Sequence, residues 1–137
     1  MKKFLTLIFM CTAMTLTGCR AFNVYDRDGM VKENTYTQIS QDEAKAMMSS
    51  DSGYVIVDVR TVDEFSSGHI PNAICIPNED ITTSKPELLP DINQEILVYC
   101  RSGRRSKEAA QKLADIGYTN VYEFGGIIDW TGEIVTE

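Results

Sequence analysis

One cysteine in this chain is followed at once by a cluster of basic residues. The stretch VYCRSGRRSKEAA begins at Val98 and places Cys100 before four of the chain's 13 Lys and Arg residues: Arg101, Arg104, Arg105 and Lys107. Positive charge beside a cysteine favours the thiolate over the thiol, and the thiolate is the nucleophile. The spacing therefore predicts a reactive Cys100 in an electropositive site that attracts an anionic substrate.

The backbone predicted around Cys100 favours the same chemistry. The apolar segment EILVYC predicts a strand that ends at Cys100, followed by a tight loop and a helix with Ser106 as its N-cap. Inward-turned loop amides form an anion-binding nest, and the helix dipole adds partial positive charge. The predicted substrate-binding loop follows Cys100 directly and consists of Arg101, Ser102, Gly103, Arg104, Arg105 and Ser106.

Other chemistries find less support in the sequence. The single histidine, His69, could act as the base of a Cys–His hydrolase, but a lone histidine in a turn more often makes structural hydrogen bonds. No CxxC motif and no histidine pair occur, so we predict no metal and no other cofactor. A disulfide with Cys75 is disfavoured, because AICIP is typical of a short strand with a small buried residue.

The elements that must position Cys100 alternate between strand and helix. Most of the predicted strands are continuously apolar, which is typical of a parallel sheet covered on both faces. The pattern predicts an α/β three-layer sandwich, with a mostly parallel central sheet of about five strands flanked by helices. The functional crevice of such sheets lies beyond the carboxyl ends of the strands, where Cys100 stands. The predicted strands are YTQIS, YVIVDVR, AICIP, EILVYC and NVYEF, and the predicted helices are SQDEAKAMMSS, TVDEFSSG and SKEAAQKLADIGY.

The N-terminal residues predict export and a lipid anchor. Two lysines precede a short apolar run and then LTGC, residues 16–19, which resembles the lipobox of bacterial lipoproteins, where the cysteine is lipidated. We therefore expect a lipoprotein signal peptide at 1–18, lipidation of Cys19, a tether at 19–35 and one domain at 36–137. The alternative is an ordinary cleaved signal peptide with Cys19 incidental.

The predicted location is the cell envelope of a bacterium. Because Arg20 rather than Asp follows Cys19, resemblance to known sorting rules favours the outer membrane, facing the periplasm, in a Gram-negative source. In any other source the outer face of the cytoplasmic membrane is expected. The net charge of −7 argues against a nucleic-acid partner, which would require a basic face.

Three separated segments between about Tyr36 and Trp130 resemble a single-domain rhodanese, a sulfurtransferase. They are VDVRTVDEFSSGHIPNAICIP, YCRSGRRS and GYTNVYEFGGIIDW, in the order and spacing of that family. Cys75 departs from the family, which often has Asn at this position. The resemblance implies the rhodanese-like form of the three-layer sandwich.

The resemblance also implies a two-step reaction of the thiosulfate sulfurtransferase type. Cys100 would take a sulfane sulfur from an anionic donor such as thiosulfate, and a thiophilic acceptor, cyanide or a thiol, would remove it from the persulfide. Arg101, Arg104 and Arg105 would bind the oxygens of the donor. Asp58 and Arg60 either brace the loop or form a simple ion pair at a strand end.

Two alternatives to this enzyme stay open in the sequence. In rhodanese-like phosphatases and arsenate reductases the active-site loop resembles a pattern of Cys, five residues and then Arg. In this chain four residues separate Cys100 from Arg105. The shorter ring suits one sulfur atom better than a phosphoryl group. The other alternative is an envelope-tethered persulfide carrier or thiol-redox module that does not turn over efficiently.

Overall fold

The structure of the chain, a computed structural model, describes residues 34–50 and 53–137 and the backbone of residues 24–25 and 31–32. In these parts of the chain no helix is long and apolar enough to cross a membrane. The predicted signal peptide and Cys19 lie outside the described residues. The strands are β1 (Val24–Tyr25), β2 (Val31–Lys32), β3 (Thr37–Gln38), β4 (Tyr54–Asp58), β5 (Ile74–Cys75), β6 (Glu95–Cys100) and β7 (Asn120–Gly126). The helices are α1 (Gln41–Ser50), α2 (Val62–Ser66) and α3 (Arg104–Ile116), with 3-10 turns at Asn78–Asp80 and Ile127–Asp129.

Five strands form one sheet in the order β3-β7-β6-β4-β5, and every neighbouring pair is parallel. Such an order requires crossover connections, which the helices supply. The predicted α/β fold, with a central sheet of about five strands flanked by helices, is confirmed. The predicted tether contains the two-residue strands β1 and β2, paired antiparallel. Strands this short leave no periodicity in a sequence, so the prediction did not include them.

Alternate residues of β6 pack into two separate cores, one on each face of the sheet. Val98 and Cys100 lie in the core covered by α3, whereas Leu97 and Tyr99 face the opposite core, to which α1 contributes Ala44. A strand buried on both faces is typically apolar on both, as residues 96–100 of EILVYC are. Cys100 therefore projects toward α3, the helix that directly follows its loop.

The N-cap of α3 lies three residues earlier than expected, so the prediction that Ser106 is its N-cap was wrong. Gly103 is the N-cap, in a left-handed conformation with φ of 101° that glycine adopts without strain. Ser106 instead lies on the buried stripe of the helix, together with Ala109, Ala110, Leu113 and Ala114. The helix ends at Gly117, as predicted, with φ of 119°.

Candidate active site

Cys100 is a buried thiol at the carboxyl end of the central strand β6, with an exposed fraction of 1 %. The Gly103 N–H donates a hydrogen bond to its Sγ at 3.1 Å, and Ser106 Oγ lies 3.5 Å from that sulfur. Burial raises the pKa of this thiol, but hydrogen bonds from the Ser106 side chain and from loop amides outweigh burial, so the pKa is lowered. The amides belong to Ser106, Gly103 and Ser102. These groups stabilise a thiolate, the form that sulfur chemistry requires.

An irregularity in β7 places a glycine opposite Cys100. Val98 pairs with Glu123, but Cys100 pairs with Gly126, so β7 holds one residue more than β6 over this interval. Gly125, with φ of 93°, absorbs the resulting bend. The bulge brings a residue without a side chain to the position beside the loop that follows Cys100.

The loop backbone packs directly against that glycine. A Cβ on Gly126 would lie 2.1 Å from the carbonyl oxygen of Arg101 and 2.6 Å from Cα of Ser102. The same Arg101 carbonyl accepts a hydrogen bond of 3.2 Å from the Ile128 N–H. The loop thus rests on the end of β7 and on the 3-10 turn that follows.

The three arginines of the predicted loop have different surroundings, and two of them, Arg104 and Arg105, lie in the first turn of α3. Arg101 is exposed, and the Arg104 side chain is 79 % exposed, with its nearest carboxylate, Glu108, at 3.8 Å. Arg105 instead makes two hydrogen bonds to Glu64 of α2, at 2.8 and 2.9 Å. This bidentate pair lowers the pKa of Glu64 to about 2. Arg101 and Arg104 are therefore available to an incoming anion, while Arg105 ties the first turn of α3 to α2.

Ser106 and Glu123 form a buried polar pair directly behind Cys100. Both side chains are fully buried, and the Ser106 hydroxyl lies 2.6 Å from Oε1 of Glu123. Oε1 also accepts a hydrogen bond of 2.8 Å from the Gly125 N–H. The second oxygen of Glu123, Oε2, has no hydrogen-bond partner among the residues that the structure describes.

Asp58 and Arg60 form a buried ion pair at the end of β4, the neighbour of β6. Arg60 Nη2 lies 2.6 Å from the Asp58 carboxylate and donates a further bond to the Gly68 carbonyl. The guanidinium carbon lies 5.9 Å from the centre of the Tyr99 ring. These contacts reach the residue before Cys100, and none of them involves residues 101–106. A bracing role for the pair therefore stays a prediction that would operate through Tyr99.

The single histidine makes structural contacts. The His69 ring stacks on Phe65 at 3.8 Å between centroids, and its Nδ1 lies 2.9 Å from the Phe65 carbonyl oxygen. Its backbone pairs with Val135. These contacts agree with the structural interpretation of this residue. Among the described residues, no group of three or more His, Cys, Asp or Glu side chains is placed to bind a metal ion.

The two described cysteines are free thiols with opposite tendencies. Cys75, which the sequence predicted to be a small buried residue, is only half-buried, because it lies on the edge strand β5. There it pairs with Asp58, which itself pairs with Tyr99. Burial and the nearby Asp58 carboxylate raise the pKa of Cys75. Cys100 alone has surroundings that favour a thiolate.

Two site residues were missed by sequence reasoning. Glu64 belongs to the motif TVDE, in which Thr61 and Glu64 form a capping box, and this motif can be recognised in the sequence. The pairing of Glu64 with Arg105 could not be recognised there, because it depends on tertiary contacts. Glu123 stands in the apolar strand NVYEF, and an acidic residue in a buried strand is the signal that could have identified it.

Comparison with known proteins agrees with this geometry. The chain is 36 % identical over 73 residues to PspE of Escherichia coli strain K12, named a thiosulfate sulfurtransferase, covering 53 % of this chain and 70 % of PspE. It is 36 % identical over 97 residues to YrkF of Bacillus subtilis strain 168, named as a candidate sulfur carrier protein. That match covers 70 % of this chain and 51 % of YrkF, so the chain spans about half the length of this relative.

A solved structure and a family model agree with these relatives. The structure of a rhodanese with anions from E. coli superposes with a TM-score of 0.55 at 32 % identity, covering 61 % of this chain and 99 % of that one. The named relatives support sulfur transfer as the general chemistry. Residues 40–133, more than half of the chain, match the model of the rhodanese-like domain. The chain therefore belongs to the rhodanese-like domain family.

Proposed function

We propose that the chain is a thiosulfate sulfurtransferase that carries the transferred sulfur as a persulfide on Cys100. The observation that carries this proposal is the buried Cys100 sulfur, which the Gly103 amide contacts at 3.1 Å and whose pKa is lowered. Arg101 in the loop after Cys100 and Arg104 at the start of α3 are both exposed and supply positive charge for an anionic donor.

The proposed reaction has two displacement steps. In the first, the Cys100 thiolate attacks the outer sulfur of thiosulfate, an S–S bond forms to Cys100, and the original S–S bond breaks to release sulfite. In the second, cyanide attacks the outer sulfur of the persulfide, and thiocyanate leaves as the Cys100 thiolate is restored. A thiolate acceptor would take the same sulfur and leave as its own persulfide.

A persulfide carrier is the second candidate. Support for it comes from YrkF, whose name describes a sulfur carrier protein. The two candidates share the first step and differ in the second. A carrier would accept one sulfur and release it slowly to a small acceptor, whereas an enzyme would turn over many times.

We further propose that the protein is exported and anchored by lipid at Cys19 in the cell envelope. The basis is the sequence of residues 1–19, with its basic start, short apolar run and LTGC. By the same proposal the domain faces the periplasm from the outer membrane if the source is Gram-negative. Firm tethering requires two or more acyl chains, which a lipidated N-terminal cysteine carries.

The test of the proposed function is mass spectrometry of the full chain after thiosulfate and then after cyanide. We expect the peptide that contains Cys100 to gain one sulfur atom and then lose it. The Cys100→Ser variant should do neither, and the Cys75→Ser variant should behave as the wild type does. Sulfur found on Cys75, or on no cysteine, would overturn the proposal, and sulfur that stays on Cys100 through excess cyanide would favour the carrier.

A further inference from the structure

The mechanism proposed above does not use Glu123, although this carboxyl group is buried in the site. Glu123 lies in β7 with no exposed surface, between its cross-strand neighbours Gln38 and Val98. One oxygen accepts bonds from Ser106 and Gly125, and the other has no partner among the described residues. A buried carboxylate with an unpartnered oxygen carries an uncompensated desolvation cost, which uptake of a proton relieves.

The Ser106 hydroxyl connects Glu123 to the sulfur of Cys100. Its oxygen lies 2.6 Å from Glu123 Oε1 and 3.5 Å from Cys100 Sγ. A hydroxyl group has one proton to donate and can accept from another donor at the same time. The Ser106 hydroxyl also lies 3.0 Å from the Gly103 carbonyl oxygen and 3.3 Å from that of Gly125, so its one proton has these acceptors besides Glu123. While that proton points to any of these oxygens, Ser106 can only accept from the Cys100 thiol, but once Glu123 is itself protonated and donates to Ser106, the hydroxyl proton can turn to a Cys100 thiolate.

We propose that Glu123 and Cys100 share one proton through the hydroxyl of Ser106, so that Glu123 is a positioning residue that sets the protonation state of the nucleophile. The thiol proton moves from Sγ to Ser106 Oγ while the hydroxyl proton moves from Oγ to Oε1 of Glu123. A thiol and a carboxylate thereby become a thiolate and a carboxylic acid. No electrons are transferred, and the cluster keeps one negative charge throughout.

The charged groups near Glu123, Ser106 and Cys100 do not take part in the proposed proton transfer between these three residues. The strands on both sides of Glu123 present Gln38 and Val98, which do not titrate. From α1, the uncharged Gln41 reaches the Gly126 carbonyl. Arg105 is the charged group that acts on Cys100, and it is itself neutralised by Glu64 of α2. Arg101 and Arg104 are exposed to solvent.

This inference rests on the proposed function, because it concerns the nucleophile of that reaction. Sulfur uptake requires the thiolate, and protonated Glu123 would let Ser106 donate a hydrogen bond to that thiolate. The proton stays inside the buried site through both displacement steps and returns to the sulfur when the site rests as a thiol. Measuring the protonation state of Cys100 without a sulfur donor tests the shared proton separately from the proposed sulfur transfer.

The test compares the wild-type full chain with Glu123→Gln. The amide oxygen can accept the same hydrogen bonds from Ser106 and Gly125 but cannot take a proton. The measurement is the rate at which iodoacetamide modifies Cys100 at each pH, read from the peptide that contains it. Two strongly interacting groups titrate in two macroscopic steps. We expect two steps in the wild type and one in the variant, at a midpoint about one pH unit or more below the upper wild-type step.

A second measurement on the wild type keeps the inference testable if the variant does not fold. The infrared carbonyl band of a protonated carboxylic acid should fade over the same pH range as the upper step of Cys100 modification. As a matched control, Glu95→Gln, at the other end of β6, should retain both steps. The inference is overturned if the wild type shows a single step, or if no carboxylic-acid band changes with that step. Either result would leave sulfur uptake by Cys100 intact and would refute only the shared proton.

Discussion

At the scale of single residues, one half-buried and one buried thiol in the same sheet have opposite chemical tendencies. Burial alone raises the pKa of a thiol, as it does for Cys75 beside the Asp58 carboxylate. Cys100 is more deeply buried, yet its pKa is lowered, because the Ser106 side chain and loop amides lie within hydrogen-bond reach of the sulfur. Reactivity here follows from the hydrogen-bond donors around the sulfur and not from its exposure.

The exposed arginines of the loop should bind the donor by direct contact. Arg104→Ala should raise the KM for thiosulfate about tenfold, because a hydrogen bond between charged groups contributes roughly 1.5–3 kcal/mol and the exposed site lies at the low end. The measurement is steady-state kinetics at low and high ionic strength. Lys107→Ala, which removes one exposed charge from the same helical turn, is the matched control for long-range steering. Equal effects of the two variants that vanish at high salt would contradict direct binding by Arg104.

At the scale of secondary-structure elements, the bulge in β7 and the loop after β6 pack directly against each other. The bulge places Gly126 opposite Cys100, and the Arg101 carbonyl fills the space that a side chain would occupy. Any side chain at this position therefore requires the loop to move. The amides that stabilise the thiolate would move with it.

Gly126→Ala should displace the loop that follows Cys100 as well as destabilise the protein. A Cβ would lie 2.1 Å from a backbone oxygen, which cannot rotate away as a side chain can. We expect sulfur uptake by Cys100 to fall by about a hundredfold or more, as misplacement by about 1 Å can cause. Gly117→Ala is the control, because it strains a left-handed glycine at the far end of α3 and costs about 1 kcal/mol of folding free energy. Comparable sulfur uptake by the two variants, after thermal melts confirm that both are folded, would show that the loop does not depend on Gly126.

Sequence reasoning was successful where the determining interactions are local. The apolar run of EILVYC and the glycine at the end of α3 depend on neighbouring residues, and both elements formed as predicted, whereas Arg104 and Arg105 of the predicted loop lie in the first turn of α3. The start of α3 was misplaced because Ser106 has the side chain of an N-cap, whereas the left-handed Gly103 begins the helix. The partners of Glu123 and Arg105 could not be predicted, because they depend on the β7 register and on the packing of α2 against α3.

At the scale of the whole molecule, the charge of the site opposes the charge of the chain. The net charge of −7 repels an anionic donor at long range, while the basic residues after Cys100 attract it within about a Debye length, which is roughly 8 Å at physiological ionic strength. In the proposed tethered domain, the acidic remainder would favour solubility while the basic end would attract small anions. The anchor proposed at Cys19 would keep that end in the envelope, where the donor and acceptor must then be supplied.

The anchor is tested on the full chain expressed in a bacterium with a lipoprotein-processing pathway and fed a labelled fatty acid. We expect the wild type to incorporate label and sediment with membranes, because two or more acyl chains bind a bilayer firmly. Cys19→Ala should lose both properties, because it removes the sulfur that carries the lipid. Cys11→Ala is the matched control, since Cys11 lies within the predicted signal peptide and would be removed with it. Label retained in Cys19→Ala, or absent from the wild type, would contradict the lipobox interpretation of LTGC, and an unlabelled but exported wild-type protein would favour an ordinary signal peptide.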